Sequence, residues 1–368
     1  MKRALYCVFF FASVCHATWL RIESPLAAVR NPAVALDADG HAFVLGGRTA
    51  KERTAQFARV CTTSYTWQTL PDAPYASSGA CLWSVNNTHL MLFGGRDDNG
   101  NIANHSLWFY KVQSKTWYEQ TTPAVIAVYG APHWSMDGQH CFYGGKDKNG
   151  SIQHELWCFA NNTWQQQTTT GPSPLGIEDA AYAMMDHTRS VYFFGGEQSS
   201  GNKTNTLYRL DMRTFMWQQY ESEKPAWRED GFMMPGLGER SLILFGGKSN
   251  HITFDDAYFF RLRDQEWHHV HWHIDVTPRW GAGSAKCGQT TVLFGGRNEY
   301  DFFSDLWIHR AKDAPQKVEP TYEEALLGIT AATFALTLIC LTFVIVLTLK
   351  KKRHMEESHS IELELSNE

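Results

Sequence analysis

The chain has 368 residues, 33 basic against 38 acidic side chains for a formal net charge of −5, 14% aromatic residues and 28 glycines. That balance leaves no cationic excess and no basic stretch interleaved with aromatics, so nucleic acid is not expected as a partner. Many aromatics and glycines suit short strands joined by tight turns, and a length above that of one ordinary domain directs attention to internal repeats.

Residues 1–17 read as a signal peptide. Lys2 and Arg3 precede an apolar run from Ala4 to Val14, and Cys15-His16-Ala17 offers small residues where signal peptidase cuts. Six diglycines then punctuate residues 18–310: Gly46-Gly47, Gly94-Gly95, Gly144-Gly145, Gly195-Gly196, Gly246-Gly247 and Gly295-Gly296, spaced 48, 50, 51, 51 and 49 residues apart. Each closes an apolar run such as Leu90-Met91-Leu92-Phe93 or Val191-Tyr192-Phe193-Phe194, the pattern of a strand buried on both faces. A second strand signal follows each, as in Leu107-Trp108-Phe109-Tyr110, and then a lone tryptophan: Trp67, Trp117, Trp164, Trp217 or Trp267.

This pattern resembles the kelch repeat, in which a diglycine after four apolar residues, a mid-repeat aromatic and a terminal tryptophan build one four-stranded blade. The resemblance covers roughly residues 18–310 and implies an all-β, six-bladed propeller. The sixth repeat lacks its tryptophan after Trp307. Trp19 stands 27 residues before Gly46, as Trp67 and Trp117 stand 27 before the diglycines that follow them. The N-terminal segment is therefore expected to supply the outermost strand of blade six, closing the ring and removing open strand edges.

Five Asn-x-Ser/Thr acceptors, Asn86, Asn104, Asn149, Asn161 and Asn202, fall at predicted turns or loops and suit a chain in the secretory pathway. Cys141 and Cys158 occupy neighbouring antiparallel strands of one blade and are expected to form a disulfide. Cys61 with Cys81 is a second candidate pair, which leaves Cys287 free.

Enzymes exist on this fold, so chemistry has to be sought in sites. Gly246-Gly247-Lys248-Ser249 ends like a phosphate loop, but Leu242 stands where its first glycine should be. His269, His271 and His273 share one face of an outer strand, where an exposed edge is more ordinary than a metal site. The copper-radical oxidases on this fold would require channel-facing histidines with tyrosine and cysteine partners, and none can be assigned. Counting 16 residues back from each diglycine places Arg30, Ser78, Val128, Asp179, Asp230 and Arg279 at the channel mouth. Glu178-Asp179 then lies beside Glu229-Asp230, a set of acids able to do acid–base work or to form a charge-compensated rim. No cofactor and no metal are expected.

In a propeller the second-to-third-strand loops and the blade-to-blade loops share one face. On it, blades five, six and one carry no glycan acceptor and expose Trp227, Arg228, Phe254, Arg279, Trp280, Tyr300, Phe302 and Phe303, types that concentrate binding energy. Folding back of these rings onto the channel mouth is the alternative. After a polar stalk, 311–324, comes Ala325 to Leu349, an uncharged apolar run long enough to cross a bilayer as a helix. Lys350, Lys351, Lys352 and Arg353 follow, placing the tail, 350–368, in the cytosol. The expected protein is a single-pass type I glycoprotein of the plasma or a secretory-pathway membrane that recognises an extracellular or lumenal protein or glycan. Alternatives are a membrane-tethered sugar or alcohol/aldehyde oxidase-like enzyme and a cargo receptor.

Overall fold

A computed structural model describes residues 19–102, 106–121, 125–250, 252–270 and 276–310. The signal segment, the stalk, the apolar run 325–349, the tail, Asn104, His271 and His273 lie outside the described residues. Among the described residues no helix is long and apolar enough to cross a membrane.

Six four-stranded antiparallel sheets form the blades of a propeller. Blade one is built from Ala33–Leu36, His41–Leu45, Phe57–Cys61 and Trp67–Thr69. Blades two to five repeat the plan. Blade six takes Gly283–Cys287, Thr290–Phe294 and Leu306–Arg310 from the end of the array and Trp19–Ile22 from its start. The closing strand pairs Trp19 with His309, Leu20 with Ile308, Arg21 with Trp307 and Ile22 with Leu306, so the spacing of Trp19 from Gly46 does report ring closure.

Burial follows the strand order. The second strand is sealed on both faces, as Phe43, Val44 and Leu45 show by having no exposure. The outer-strand tryptophans each reach back to the preceding blade. Trp67 lies 6.1 Å from Phe294, Trp117 5.4 Å from Phe57, Trp164 5.5 Å from Phe93, Trp217 4.8 Å from Tyr143 and Trp267 5.1 Å from Phe194. Trp19 completes the set at 5.8 Å from Phe232. Blades diverge as they leave the axis, and a large flat side chain fills the widening gap.

The diglycines act at the junctions. The second glycine of each pair donates its N–H to a carbonyl of the next blade: Gly47 to Ser77, Gly95 to Val128, Gly145 to Ile177, Gly196 to Arg228, Gly247 to Arg279 and Gly296 to Val29, all at 2.8–2.9 Å. The first glycine is needed for close approach, since a Cβ at Gly94 or Gly195 would sit 2.1 Å from the carbonyl oxygen of Val128 or Arg228.

In blade three Cys141 faces Cys158, and the two are joined as a disulfide across a Cα separation of 4.1 Å. Cys61 and Cys81 are both free, because one lies on the third strand of blade one and the other on the channel strand of blade two. Cys287 is also free.

Candidate functional site

At one end of the central channel six residues form a closed hydrogen-bonded circle. Gly79 donates its N–H to the Asn31 carbonyl, Gly130 to Gly79, Asp179 to Gly130, Asp230 to Asp179, Gly281 to Asp230 and Asn31 to Gly281, at 2.6–3.0 Å. All six have positive φ, between 50° and 68°. Glycine, asparagine and aspartate are the residues that tolerate this conformation.

The count of 16 residues back from the diglycine is right only for Asp179 and Asp230. Arg30, Ser78, Val128 and Arg279 are not members of the circle; Asn31, Gly79, Gly130 and Gly281 take those places. The turn between first and second strands sets the offset. It is tight in blades three and six, where Met136 is followed by a strand from Gln139 and Cys287 by one from Thr290, and longer in blade four, between Met185 and Ser190.

Outside the circle each blade contributes a bridged backbone pair: Arg30 with Arg48, Ser78 with Arg96, Tyr129 with Lys146, Glu178 with Glu197, Glu229 with Lys248 and Trp280 with Arg297. Their side chains segregate by charge. Over blades three to five the acids are paired in a chain: Lys146 to Glu178 at 2.6 Å and to Glu197 at 3.6 Å, Lys203 to Glu197 at 2.7 Å and also to Glu229, and Lys248 to Glu229 at 3.0 Å and to Asp230 at 3.5 Å. Thus Glu178, Asp179, Glu229 and Asp230 do converge; Glu178, Glu229 and Asp230 are members of a charge-compensated network, whereas Asp179 has no ion-pair partner among the described residues. Burial, reinforced by Asp230 and Glu178, raises the Asp179 carboxyl well above its usual range. Burial likewise raises Asp230, with Lys248 and Asn31 opposing.

Over blades six, one and two the cations dominate. Arg30, Arg48, Arg96 and Arg297 have no carboxylate within ion-pair distance among the described residues, while Arg53 reaches Asp98 at 3.2 Å and Ser78 at 2.8 Å. Trp280 lies at the seam between the two halves, with Lys248 4.1 Å, Arg30 5.1 Å and Arg297 5.3 Å from its ring. Burial lowers the Arg30 guanidinium pKa, with Asp230 opposing and Arg48 adding repulsion.

Two expected binding residues are not available to a partner. Arg228 has no exposed surface and Arg279 is 3% exposed. Arg228 donates to Asp256 at 2.6 and 3.1 Å and to the Gly246 carbonyl at 2.9 Å, beneath the Phe254 ring at 4.1 Å. Arg279 repeats this with Asp305 at 2.5 and 3.1 Å, the Gly295 carbonyl at 2.9 Å and Phe303 at 4.1 Å. Desolvated arginines need full compensation, and each blade supplies it from its own chain. Phe254 and Phe303 cover these guanidiniums and are themselves half-buried. Trp227, Trp280 and Phe302 are half-buried, Phe302 lying 4.6 Å from the Arg297 guanidinium, whereas Tyr300 is 88% exposed. Sequence reasoning missed Ile126, Leu175 and Ile252, which stand 49%, 70% and 62% exposed in loops of this same face.

The channel behind the circle opens into a chamber of about 370 Å³ lined by first-strand residues, among them Leu36, Leu82, Met184 and Met233. His133 is the one histidine among its lining residues. Its Nδ1 lies 3.1 Å from the Ala131 carbonyl and its Nε2 accepts from the Leu82 N–H at 3.4 Å, and burial lowers its pKa to about 4. A neutral imidazole with both nitrogens engaged offers no open metal position. Of the outer-strand histidines, His269 is exposed on the strand Glu266–His269. Asn86, Asn149, Asn161 and Asn202 are exposed at turns and loops.

The family described as the KLHDC2/KLHL20/DRC7 Kelch-repeats domain matches residues 133–314. Acyl-CoA-binding domain-containing protein 4 of Arabidopsis thaliana is 28% identical over 243 residues, covering 61% of this chain and 35% of that protein. A kelch repeat-containing protein of Arthroderma benhamiae is 24% identical over 263 residues, covering 64% of this chain and 38% of that one. Tip elongation aberrant protein 1 of Schizosaccharomyces pombe is 24% identical over 195 residues, covering 49% and 17%. The chain thus spans no more than about two-fifths of the length of these curated relatives. The solved structure of YjhT superposes with a TM-score of 0.63 at 15% identity, over 77% of this chain and 96% of YjhT, a likeness of fold.

Proposed function

The chain is a kelch-repeat protein, and on that premise we propose that its propeller is a protein-binding module whose docking surface is the loop face around the hydrogen-bonded circle. The observation that carries this reading is the composition of that face: Ile126, Leu175, Ile252 and Tyr300 are exposed in its loops, and its mouth carries, over blades six, one and two, arginines with no ion-pair partner among the described residues. Large apolar groups held in water by a rigid scaffold, next to arginine, are the composition of an interface centre. An enzyme reading has no comparable support, since Glu178, Glu229 and Asp230 at the mouth are paired with lysines and His133 is engaged on both nitrogens.

The membrane placement belongs to the same proposal. Residues 1–17 direct the chain into the secretory pathway, 325–349 anchor it, and the basic cluster from Lys350 to Arg353 stays cytosolic, so that the propeller faces the lumen or the cell exterior with its acceptor asparagines open to glycosylation. The reading rests on sequence alone. A tag after residue 18 and another at the C-terminus, probed for protease protection in sealed secretory vesicles together with endoglycosidase sensitivity, test it; a protected N-terminal tag with an accessible C-terminal tag is expected, and the reverse overturns it.

The docking surface is tested by photo-crosslinking from the Tyr300 position in the full chain, comparing wild type with the Ile252→Ser, Leu175→Ser double variant. Discrete crosslinked species that the double variant loses at unchanged expression are expected. An identical pattern in both proteins would remove the loop face as the docking surface.

A further inference from the structure

The end of the channel away from the hydrogen-bonded circle opens between the first turns of the blades. The chamber of about 370 Å³ is bordered there by Ala38, Asn87, Ser135, Asp186, Pro235 and Gly288, one residue at or beside that turn in each blade. From blade six the Lys286 side chain reaches Asp186 at 2.6 Å and Glu239 at 3.2 Å. Beside the chamber, between blades two and three, lies a cleft of about 400 Å³ whose lining includes Ser84, Val85, Asn86, Ser135, Met136 and Asp137. Asn86 borders both hollows. Asn149, Asn161 and Asn202, the other described glycan acceptors, line neither. Asn86 is also held in place. It has a φ of 43° in the turn Asn86–Thr88, which joins the strands Cys81–Val85 and His89–Phe93. Its Oδ1 accepts from the Thr88 N–H at 3.2 Å and from the Thr88 hydroxyl. The acceptor sequence thus fixes its own amide and leaves Nδ2, the atom a glycan is bonded to, without a hydrogen-bond partner among the described residues. The neighbouring Asn87 accepts from the Ala38 N–H at 3.1 Å, which ties this turn to blade one.

We propose that the first N-acetylglucosamine on Asn86 seats in the cleft between blades two and three and that the sugars after it cover the mouth of the chamber. The glycan is then a fixed wall of the propeller that closes the end of the channel opposite the circle. The inference rests on the lumenal or extracellular placement of the propeller and adds where one glycan lies and what it does. Val85 and Met136 offer apolar surface to the acetamido methyl and the ring face, while the Ser84 hydroxyl and the exposed Asp137 carboxylate supply polar partners for the sugar's hydroxyls. The Ser135 hydroxyl is already engaged, 2.8 Å from Nδ1 of His140. Such a set would hold a free sugar weakly. A sugar bonded to Asn86 needs far less, because the tether replaces the cost of association with an effective concentration on the order of millimolar. Asn161 stands on the same face in the turn between the strands Leu156–Ala160 and Thr163–Gln167, exposed and lining neither hollow, so a glycan there stays in solvent.

The test uses the full-length chain made in secretory-pathway cells and purified in mild detergent. Glycopeptide mass spectrometry reads occupancy at each acceptor, and a time course with peptide N-glycosidase on the native protein reads release. Release from Asn86 is expected to be slower than from Asn161 by roughly tenfold or more, with the two rates equal after denaturation. This comparison needs no variant, so it stands if a substitution disturbs the fold. Cys287, a half-buried free thiol lining the chamber, is the second readout. Asn86→Asp, which keeps a residue that accepts positive φ, should raise its alkylation by a bulky polymer maleimide by roughly tenfold and leave iodoacetamide labelling unchanged. Thr88→Ala, which removes the acceptor sequence without adding charge, should do the same, and melting curves of both variants check that the fold is kept. Equal release from Asn86 and Asn161, bulky alkylation unchanged in both variants, or an Asn86 without sugar in a chain glycosylated at Asn161 and Asn202 each overturns the proposal. The failures are distinguishable: a chain with no sugar at any acceptor removes the lumenal placement itself, whereas an unprotected or empty Asn86 beside occupied neighbours leaves that placement standing.

Discussion

At the scale of single residues, the molecule turns on close approaches that a side chain would block. A Cβ at Gly195 would meet the Arg228 carbonyl at 2.1 Å, and the Gly196 N–H donates to that same oxygen. Gly195→Ala must therefore push blade five away from blade four, and it should destabilise by about 3 kcal/mol or more, in the range of overpacked sites with added backbone strain. Gly201→Ala, also at positive φ but with nothing within 4 Å, should cost only the conformational fraction of that. Chemical denaturation of the two variants checks it, and equal losses would show that strain alone matters. Asp179 makes the opposite prediction. Its carboxyl is raised by burial and by Asp230 and Glu178, so the folded chain holds a proton that the unfolded chain has released. Stability then falls as pH rises from the ordinary carboxylate range through the raised value, and the deficit is complete above it. Asp179→Asn, a residue that accepts the φ of 53°, should melt higher than wild type at neutral pH, with the gap closing toward about pH 4. A variant that melts lower at neutral pH would mean the ionised carboxylate is a net stabiliser. The error over Arg228 and Arg279 also belongs to this scale. Both were legible as scaffold from an internal alignment of the blades: the residue before each third strand is Gln56, Ser106, Glu155, Thr206, Asp256 and Asp305, and aspartate appears only where the junction residue is arginine. A count along one loop cannot see that pairing, because the partner lies more than twenty positions away.

At the scale of elements, the blade is legible and its turn is not. The diglycine, the double-faced apolar run and the lone tryptophan each report one strand, because burial on both faces and a wedge to fill leave few substitutes. Turn length between first and second strands leaves no periodic trace, which is why a fixed offset missed Asn31, Gly79, Gly130 and Gly281. Closure was readable since Trp19 repeats a spacing. Trp19→Ala should lower stability by about 2–3 kcal/mol, below the range for fully buried aromatics because the ring is half-buried, and deletion of residues 18–24, which removes all four pairs to Leu306–Arg310, should abolish cooperative melting. Wild-type melting by the deletion would contradict closure by this strand. The Cys141–Cys158 link closes a loop of 17 residues inside one blade. Reduction should cost about 3 kcal/mol on chain-entropy grounds, measured as a shift in denaturation midpoint that the Cys141→Ser, Cys158→Ser variant reproduces without reductant. No shift would mean that the packing of blade three, not the link, fixes these strands.

On the scale of the whole molecule, six near-identical blades carry six different pairs at the mouth, and the differences divide a pseudo-symmetric face into a neutralised acidic side and an unneutralised basic one. Arg30 stands at the boundary, attracted by Asp230 and Asp179 and repelled by Arg48 and Arg297. Any anion that settles on the arginines is opposed by those two carboxylates, and by Glu178 and Glu229 behind them, with Lys248 offsetting part of the repulsion. Binding and protonation at the mouth are then linked: an anion that binds must raise the carboxyls further, so it takes up protons, and lowering the pH must tighten it by the same free energy. His133, which lines the small cavity behind the circle, titrates near pH 4 and is too low to supply this effect. The ligand's own carboxylates set the lower limit, since below about pH 4 they lose their charge. Affinity for a short glutamate-rich peptide used as an anionic probe should therefore rise as pH falls from neutrality to mildly acidic values and collapse below the ordinary carboxylate range. Asp179→Asn should bind more tightly than wild type at neutral pH and show a flatter rise, because the repelling charge is already gone. Anisotropy titrations of both proteins across that span decide the matter: an affinity that falls monotonically with acid in wild type, or a slope unchanged in Asp179→Asn, would detach the acidic half of the face from the chemistry of the basic half.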